Sequence, residues 1–492
     1  MTFPHKPAGR GLWLVRLLSV AALLAVWHVA ARALHAPLIL PAPLVVARRL
    51  ASLAQTTDFW RHVAATSART VKSTAIVVCL GSVAGLLCGM RPRCAAFMAF
   101  PLAIIRSTPV VSFILLALFW LGSDAVPVFC AVLMAFPLMV TSVATGCARR
   151  DETLLAMARV FRLTRGQVMR YITAAELLPF FAAGARASFG MAWKVVAASE
   201  VLSLPRHALG TLMQTAQVHL ETADVLAVSL VLVLLSLLCE CAARQAVRLF
   251  RVLRRKRAAT VLLAPVEPTP VLTEPCEVSV RGLSVAYGGQ AVLDDFSLTV
   301  KKGELLVLLA PSGAGKTTLF DHIAARAGRV SYAFQEPRLL DGCTLLKNVA
   351  LPLERLFPRG QSLARAADFL RLVGLGDRLN AYPPELSGGE RQRVALARAL
   401  AFPADVLLLD EALRSQDVHG RNALIALLKA HLRQEPKTVL FVTHDLHEAA
   451  VLATRVVVCA ARPLRVTFDS RPGSVPTEAE LAAIIGGRDG SL

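Results

Sequence analysis

The first half of the chain alternates between long apolar segments and short polar ones. A helix that crosses a lipid bilayer needs about 20 mostly apolar residues. Six segments reach or approach that length: 12–32, 72–90, 95–121, 125–147, 177–201 and 223–241. This pattern predicts an all-α polytopic membrane domain of about six transmembrane helices.

Basic residues indicate which side of the membrane holds the ends of this domain. The last predicted span runs into a basic cluster: Arg244, Arg248, Arg251, Arg254, Arg255, Lys256 and Arg257. Cytoplasmic loops carry an excess of Lys and Arg, and an even number of spans returns the chain to its starting side, so we expect both ends in the cytoplasm. The region 34–70 disagrees because it would face outward and yet contains four arginines: Arg48, Arg49, Arg61 and Arg69. A helix on the membrane surface would explain them, and so would a miscounted span.

The N-terminus has two interpretations. A charged start at His5, Lys6 and Arg10 before an apolar run is also the pattern of a cleaved secretory signal. The apolar run continues to about Ala31, which is long enough to span a bilayer, and further spans follow it. We therefore favour an uncleaved first helix.

The composition supports this picture. Hydrophobic residues make up 55% of the chain and charged residues 18%, the mean hydropathy is +0.56, and the net charge is +20 with a pI near 10.2. A nucleic-acid-binding protein would carry its basic residues on a polar globular surface, whereas many here lie beside apolar runs, so we predict no nucleic-acid partner. The ten cysteines show no Cys-x-x-Cys spacing, and we interpret them as small buried hydrophobes.

The second half of the chain has a different pattern. A segment rich in proline, 258–275, reads as an extended linker. Short β-rich runs at 305–309, 406–409 and 438–442 then alternate with helical stretches, which is typical of an α/β domain with a parallel sheet. The predicted organisation is a membrane domain over 1–257, the linker over 258–275 and a second domain over 276–492.

A glycine-rich loop follows the first of these strands. The run Ala310-Pro311-Ser312-Gly313-Ala314-Gly315-Lys316-Thr317-Thr318 connects the strand 305–309 to a helical segment. Strand, glycine-rich loop and helix are the arrangement that cradles a triphosphate with backbone N–H groups. In it Lys316 reaches the β and γ phosphates and Thr317 holds Mg²⁺. Ala310 stands where the first glycine of the pattern is usual.

Charged side chains end two further strands. Asp410 and Glu411 follow the apolar run 406–409, which suits an acid that holds a metal and a base that polarises the attacking water. A solvated strand end is the alternative for this pair. His444 ends the strand 438–442 and could touch the γ-phosphate, although a lone histidine is more often structural.

The segment Leu386-Ser387-Gly388-Gly389-Glu390-Arg391-Gln392-Arg393 opens a helix and resembles the signature of ATP-binding cassette (ABC) ATPases. The likeness covers about 276 to 460. It implies that Ser387, Gly388 and Gly389 close over ATP held by a second copy, so that two chains form one working unit. By the same resemblance Tyr287 stacks on adenine and Gln335 senses Mg²⁺ and the permease. Asp417 would be the acid of the loop after Glu411.

Three positions depart from this family. Ala412 stands where proline is usual, and the loop Arg414-Ser415-Gln416-Asp417 is an unusual version of its counterpart. The stretch between Lys316 and Gln335 has about half the usual length, as though a hairpin beside the nucleotide were missing. Weaker contacts to adenine or ribose, and reduced activity, would follow.

The predicted membrane domain also resembles a family of importers. The charged amphipathic stretch 151–162 is similar to the coupling loop of binding-protein-dependent importers, whose short helix docks in the cassette beside the Gln335 region. A helix on the membrane surface is the alternative. Further segments resemble the nitrate, sulfonate and taurine branch: Pro41-Ala42-Pro43, Arg106 to Pro109, Gly184, Arg186, Ala192-Trp193, Glu200 and Gln335 to Leu340. Arg162 occupies the position of the usual loop glycine.

Three ionisable residues fall inside or at the ends of predicted spans: Arg106, Lys194 and Glu200. Such groups are expensive in lipid and usually face a partner or an aqueous path. These residues are compatible with a pathway for an anionic solute. They are equally compatible with mutual pairing or with snorkelling to the membrane interface. Lys194 and Glu200 are six residues apart, which is not one helical face, so they should not simply pair within the helix.

The sequence thus predicts a homodimeric ATP-driven importer of a small anion in the plasma (inner) membrane, with ATP and Mg²⁺ as cofactors and a cytoplasmic ATPase domain. An external binding protein would deliver the solute. Sulfonates, taurine, nitrate and vitamin precursors remain alternatives for its identity. Two other functions stay open: a half-exporter, and a membrane-anchored ATPase that signals without transport.

Overall fold

The computed structural model describes residues 11–259, 274–311, 313–414, 416–460 and 463–486. The chain divides into two compact units: 1–150 with 176–253, and 151–175 with 254–492. Most of the predicted linker 258–275 lies outside the described residues, as does Ser312. The second unit thus takes a segment from the middle of the predicted membrane domain.

Helices account for all the regular structure described in the first 259 residues. They are α1 (Gly11–Ala33), α2 (Pro43–Ala54), α3 (Thr57–Met90), α4 (Pro92–Ser107), α5 (Val110–Trp120), α6 (Val126–Ala148), α7 (Glu152–Val160), α8 (Arg165–Gln167), α9 (Ala174–Ser203), α10 (Leu209–Val218) and α11 (Thr222–Ala259). A π-helical turn, Val168–Thr173, joins α8 to α9.

Four of these helices are long and apolar enough to cross a membrane: α1, α3, α6 and α11. The predicted span 95–121 is two helices, α4 and α5, bent by 99° about Thr108 and Pro109. Pro109 offers no N–H to an α-helix and disfavours helical geometry at Thr108, which explains the break. The predicted span 177–201 is helical as part of α9, which is not among the described helices that are long and apolar enough to cross a membrane.

The first unit is held together by close contact between α3 and α6. A Cβ atom added to Gly85 would lie 2.7 Å from Val143 Cβ, and one added to Gly89 would lie 2.3 Å from Cys147 Cβ. These glycines therefore let the two backbones approach more closely than any side chain would permit, as in other membrane helix pairs. Any larger residue at Gly89 would push the helices apart.

Two of the four arginines of the region 34–70 pair with acids. Arg49, on α2, binds Asp224, and Arg69, on α3, lies 2.8 Å from Asp124 and 3.0 Å from Glu200. The positive-inside rule counts Lys and Arg rather than net charge, so these ion pairs stabilise the unit but leave the conflict with the predicted outward position in place. Helix α3 also begins at Thr57, fifteen residues before the predicted span (72 − 57 = 15).

The three ionisable residues singled out by the sequence have different surroundings. Glu200 is fully buried and accepts hydrogen bonds from Thr66 Oγ1 at 2.9 Å and Arg69 Nη1 at 3.0 Å. Arg106 donates to Pro137 O at 3.2 Å and Thr141 Oγ1 at 3.0 Å. Lys194 is exposed and forms no ion pair with any described residue. Glu200 therefore pairs with another helix rather than with Lys194.

The second unit contains two sheets. Strands β1 (Val278–Tyr287) and β2 (Gln290–Val300) form an antiparallel pair. The larger sheet has the order β4-β5-β6-β3-β7-β8 and is parallel except for β8: β3 (Leu305–Leu309), β4 (Val330–Ala333), β5 (Val406–Asp410), β6 (Thr438–Thr443), β7 (Arg455–Ala460) and β8 (Arg465–Asp469). Every residue of β3 and β5 is buried, as expected for central parallel strands covered on both faces.

Seven helices of this unit complete the α/β fold. They are α12 (Lys316–Arg326), α13 (Leu345–Ala350), α14 (Arg359–Leu372), α15 (Gly388–Ala401), α16 (Val418–Gln434), α17 (Leu446–Leu452) and α18 (Glu478–Gly486). The predicted parallel α/β domain is confirmed.

A buried histidine is expected to make this unit sensitive to acid. Burial, with the nearby Lys437 cation, lowers the pKa of His431 to about 4, and Lys437 Nζ lies 3.3 Å from His431 Nε2. Because the unfolded chain has an ordinary histidine pKa near 6.5, the unfolded state binds more protons between those values. We expect the free energy of unfolding to fall by up to about 3 kcal/mol as the pH falls from about 6.5 to about 4.

This expectation can be checked by melting experiments from about pH 7 to about pH 5, where the transition of this unit is recognised by its upward shift with a bound ligand. His431→Gln should flatten the pH dependence. His419→Gln, at an exposed position of the same helix, should leave it unchanged. Equal slopes in all three proteins would contradict the role of His431.

Candidate nucleotide site

The sheet order brings the predicted site residues to one edge. Strand β6 lies between β3 and β5, and Leu309 pairs with Thr443 while Asp410 pairs with Val442. Because parallel strands end on the same side, the loop 310–315, the pair Asp410 and Glu411, and His444 all leave the sheet there. Ligands bind at this edge in open α/β sheets.

The glycine-rich loop has the geometry that its sequence requires. Gly313 and Gly315 have φ values of +76° and +102°, which non-glycine residues rarely adopt. A Cβ on Gly315 would also lie 2.5 Å from Val292 Cγ1. Gly315 is the N-cap of α12, so the positive end of that helix faces the loop. Ala310, in place of the usual first glycine, does not take a positive φ, and its Cβ therefore costs no backbone strain.

A lysine and two carboxylates meet below this loop. Lys316 Nζ donates to Ala310 O at 2.9 Å and lies 3.5 Å from Glu411 Oε1. Thr317 Oγ1 donates to Asp410 Oδ2 at 3.3 Å. Burial, reinforced by the charge of Glu411, raises the pKa of Asp410. A bound cation would offset that cost, since it favours the ionised carboxylate.

Glu411 is held by several donors. Gln335 Nε2 donates to its Oε2 at 3.2 Å, Arg414 Nη1 at 3.1 Å, and His444 Nδ1 lies 3.6 Å from Oε1. The residue has a φ of +47°, and its N–H donates to Val442 O at 2.9 Å. Such backbone strain persists where the surroundings fix it, and it is concentrated at functional sites.

These residues surround one cavity of about 320 Å³. Its lining consists of Tyr287, Val292, Gly313, Gly315, Lys316, Thr317, Thr318, Gln335, Asp410 and Glu411. Tyr287 is 64% exposed at one side, where a flat ring is open to stacking. The hydroxyl of Thr317 and the carboxylate of Asp410 are hard oxygen donors of the kind that Mg²⁺ prefers, so the residues fit this ion. Ala314, within the loop, is buried.

The segment Ser387 to Gly389 does not line this cavity. Ser387 caps α15: its side chain accepts the Glu390 N–H while the Glu390 carboxylate accepts the Ser387 N–H at 2.9 Å. These bonds from Ser387 lower the pKa of Glu390. The backbone donors at the N-terminus of α15 are thus not part of the lining of the cavity of the same chain.

Three contacts in or near this cavity were not predicted. Val292 forms one wall, Tyr332 OH donates to Asp410 Oδ2 at 3.3 Å, and Arg414 binds Glu411. Arg414 stood out only as part of an unusual loop. Val292 and Tyr332 lie in ordinary strand sequence, so no local signal distinguishes them.

The stretch 151–162 docks within the second unit. Phe161 is 1% exposed, and the centre of its ring lies 5.4 Å from that of the Phe402 ring in an edge-on arrangement. The Arg398 guanidinium lies 5.2 Å from the centre of the Phe161 ring. Arg398 also donates to Pro337 O and Arg338 O, each at 2.8 Å. Arg398 therefore links the stretch to the residues just after Gln335, the region beside which the resemblance placed a coupling helix.

Arg162 replaces a usual glycine and still takes the glycine conformation. Its φ is +50°, and its side chain donates to Gly328 O at 2.7 Å. Gly328 belongs to the short turn between α12 and β4, the stretch that has about half the length usual in the family. This contact offsets the conformational cost of a side chain at a positive φ.

Comparison with known proteins gives matches to both halves of the chain. The ABC transporter family model matches residues 293–414. The model described as the binding-protein-dependent transport system inner membrane component matches residues 81–252.

Three relatives illustrate the similarity. "Aliphatic sulfonates import ATP-binding protein SsuB 3" of Paraburkholderia xenovorans is 42% identical over 40% of this chain and 83% of its own length. "SsuB 2" of Frankia alni is 42% identical over 43% of this chain and 92% of its own. A solved dimer of the cassette MJ0796 with ADP and Pi is 26% identical over 39% of this chain and 97% of its own, with a TM-score of 0.36.

The geometry of the nucleotide site and the similarity to most of the length of two sulfonate import ATP-binding proteins agree on one conclusion. The chain belongs to the ABC transporter family, and it joins a membrane component of the binding-protein-dependent type to an ATP-hydrolysing cassette in a single polypeptide.

Proposed function

We propose that this transporter is an importer of a small organic or inorganic anion, of the class that includes sulfonates, taurine and nitrate. The observation that carries the proposal is the docking of Phe161 against Phe402 and Arg398, since it links the cassette to a segment of the membrane half. The names of the relatives, which are sulfonate import proteins, favour an anion. Lys194, exposed and without an ion pair among the described residues, is a candidate contact for negative charge.

The cavity residues are assigned roles in ATP hydrolysis. Lys316 binds the β and γ phosphates, the loop N–H groups cradle them, and Tyr287 stacks on adenine. Thr317, Asp410 and Gln335 would hold Mg²⁺, which neutralises charge on the transferred phosphoryl group. Glu411 orients and polarises the attacking water, and His444 contacts the γ-phosphate. The role of Ser312, outside the described residues, is carried by the sequence pattern alone.

The working unit is a homodimer in this proposal. Ser387, Gly388 and Gly389 do not line the cavity of their own chain, and the N-terminus of α15 has the dipole and donors to bind a γ-phosphate. Closing two chains around two nucleotides would bring each signature to the partner's cavity. We place the cassettes in the cytoplasm and the membrane half in the plasma (inner) membrane, with an external binding protein that delivers the solute.

Reconstituted vesicles test the direction and the partner. Uptake of a radiolabelled sulfonate that requires both ATP and a cognate binding protein is the expected result. Export, or solute movement without a binding protein, would favour a half-exporter. ATP turnover with no movement of sulfonate, taurine, nitrate or vitamin precursors would favour the signalling function.

Phe161→Ala should separate transport from hydrolysis. Removing a buried aromatic ring typically costs about 3–5 kcal/mol of stability. Here the loss would weaken the packing of the stretch 151–162 against the cassette. We expect transport to fall by at least roughly tenfold while basal ATP hydrolysis stays near the unmodified rate, measured in the same vesicles. Phe468→Ala, on β8, is the control and should transport normally. Equal losses of transport and hydrolysis would contradict a coupling role.

Arg414→Ala should increase hydrolysis modestly. Arg414 is more than half exposed and donates to the carboxylate oxygen of Glu411 that Gln335 also binds. An exposed ion pair is worth about 0–1 kcal/mol, so freeing the carboxylate should raise turnover by up to about fivefold. Arg433→Ala, at the end of α16, controls for the loss of charge. A decrease in turnover would show instead that Arg414 assists the reaction.

A further inference from the structure

We propose that the membrane half carries a transition-metal site, of the kind that binds Zn²⁺, formed by Asp58, His62 and His207. Each residue offers one ligand atom, and these atoms all lie within 4.8 Å of one another. Asp58 and His62 are on the first turns of α3, and His207 is in the loop between α9 and α10. This site is separate from the ATP cavity and does not depend on the transported solute.

The two ligands on α3 already have the spacing of a metal site. Residues four apart lie on one helical face, and His62 Nε2 is 3.3 Å from Asp58 Oδ2. Two ligands about 2.0–2.1 Å from a tetrahedral Zn²⁺ are roughly 3.3 Å apart. A simple ion pair would explain this one contact, but it would leave the third residue unexplained.

His207 supplies the independent observation. Its Nδ1 is shielded from solvent and has no hydrogen-bond partner among the described residues. Its ring lies 5.4 Å from the His62 ring at an angle of 80°. A buried ring nitrogen without a partner is costly, and a metal bond would satisfy it. Arg69 donates to His207 O at 2.7 Å and fixes this loop in place.

The surroundings of His62 favour a metal ligand. Its side chain is only 7% exposed. Its Nδ1 lies 2.8 Å from Ala208 O, so an Nδ1–H can donate to that carbonyl and leave the Nε2 lone pair for the ion. Histidine ligands usually have such a backbone acceptor. Nδ1 can also accept the Ala208 N–H in the other tautomer, and metal binding would select between the two.

The Arg69 cation near the site is itself balanced by carboxylates. Arg69 pairs with Glu200 and Asp124, so it does not leave uncompensated positive charge beside the ion. A bound metal would tie the start of α3 to the α9–α10 loop, next to the buried Glu200. We therefore expect metal to raise the melting temperature of the full-length protein.

Cobalt titration of the purified full chain tests the site. The protein is first stripped with a chelator and titrated without ATP or Mg²⁺. We expect one Co²⁺ per chain, a tetrahedral visible spectrum without thiolate charge-transfer bands, and displacement by Zn²⁺. Asp58→Asn and His207→Gln should each weaken binding by roughly 100-fold or more, because loss of a second-shell partner alone costs about 10–100-fold.

His219→Gln controls for the loss of a histidine, since His219, which follows the end of α10, is exposed and its Nδ1 is bonded to Thr215 O. It should bind as the unmodified protein does. His62 is buried and its replacement risks the fold, so the exposed Asp58 carries the decisive comparison. No binding by the unmodified chain, unchanged binding in Asp58→Asn and His207→Gln, or a thiolate spectrum from the cysteines would each overturn the proposal.

Discussion

Glu411→Gln is expected to leave ATP bound while nearly abolishing its hydrolysis. The amide keeps the size of the side chain and still accepts the hydrogen bonds from Gln335 and Arg414, so the cavity should keep its shape. It cannot act as a base toward water. General-base catalysis contributes about 10²–10⁴-fold, and we expect turnover to fall by that factor.

Phosphate release and binding of a fluorescent ATP analogue measure the two effects separately. Asp368→Asn is the control because Asp368 lies on the exposed face of α14 and pairs only with Arg371 among the described residues. It should hydrolyse ATP at the unmodified rate. Turnover that is unchanged in Glu411→Gln would show that another group serves as the base.

Lys316→Ala should weaken the binding of ATP, which Glu411→Gln should leave unchanged. Lys316 is the cation at the start of α12, and hydrogen bonds to charged groups are worth about 1.5–3 kcal/mol, so we expect ATP to bind roughly 10- to 100-fold more weakly. Hydrolysis at saturating ATP should also fall, because the same ammonium stabilises charge in the transition state. The buried Glu411 would lose one of its cationic partners as well.

Lys302→Ala removes an equal charge from an exposed turn of the cassette and should bind ATP normally. Equilibrium binding measured for the three proteins under one set of conditions gives the comparison. Lys316→Ala with unchanged affinity would remove the phosphate loop from the proposed mechanism. A melting curve without nucleotide checks that the cavity of the variant is still folded.

The nucleotide site was largely predictable because its information is local. The loop 310–318 combines glycines at the turn with a lysine at the helix start, and each residue type has a physical reason to be there. Asp410 and Glu411 end a strand that is apolar throughout, so their position at the sheet edge follows from the parallel fold. Glu411 follows β5 and Lys316 follows the loop after β3, and the two residues meet because both strands lie directly beside β6 in the sheet. No local sequence pattern predicts this strand order.

The membrane half was less predictable because its contacts join distant parts of the chain. Hydropathy identified 95–121 as apolar but not the 99° bend within it, although Pro109 was the one local hint. It located Glu200 but did not indicate that its partner is Arg69, 131 residues earlier. Nor did it indicate the acid partners of Arg49 and Arg69, which lie on other helices and loops of the unit.

The interleaving of the two units has a consequence for dissecting the molecule. Residues 151–175 belong to the cassette unit although membrane helices flank them on both sides. A cassette fragment started at the apparent boundary, residue 276, would therefore lack Phe161 and expose apolar surface around Phe402 to water. We expect such a fragment to aggregate more readily and to be less soluble than its sequence suggests. Supplying the excised peptide in trans should restore its solubility.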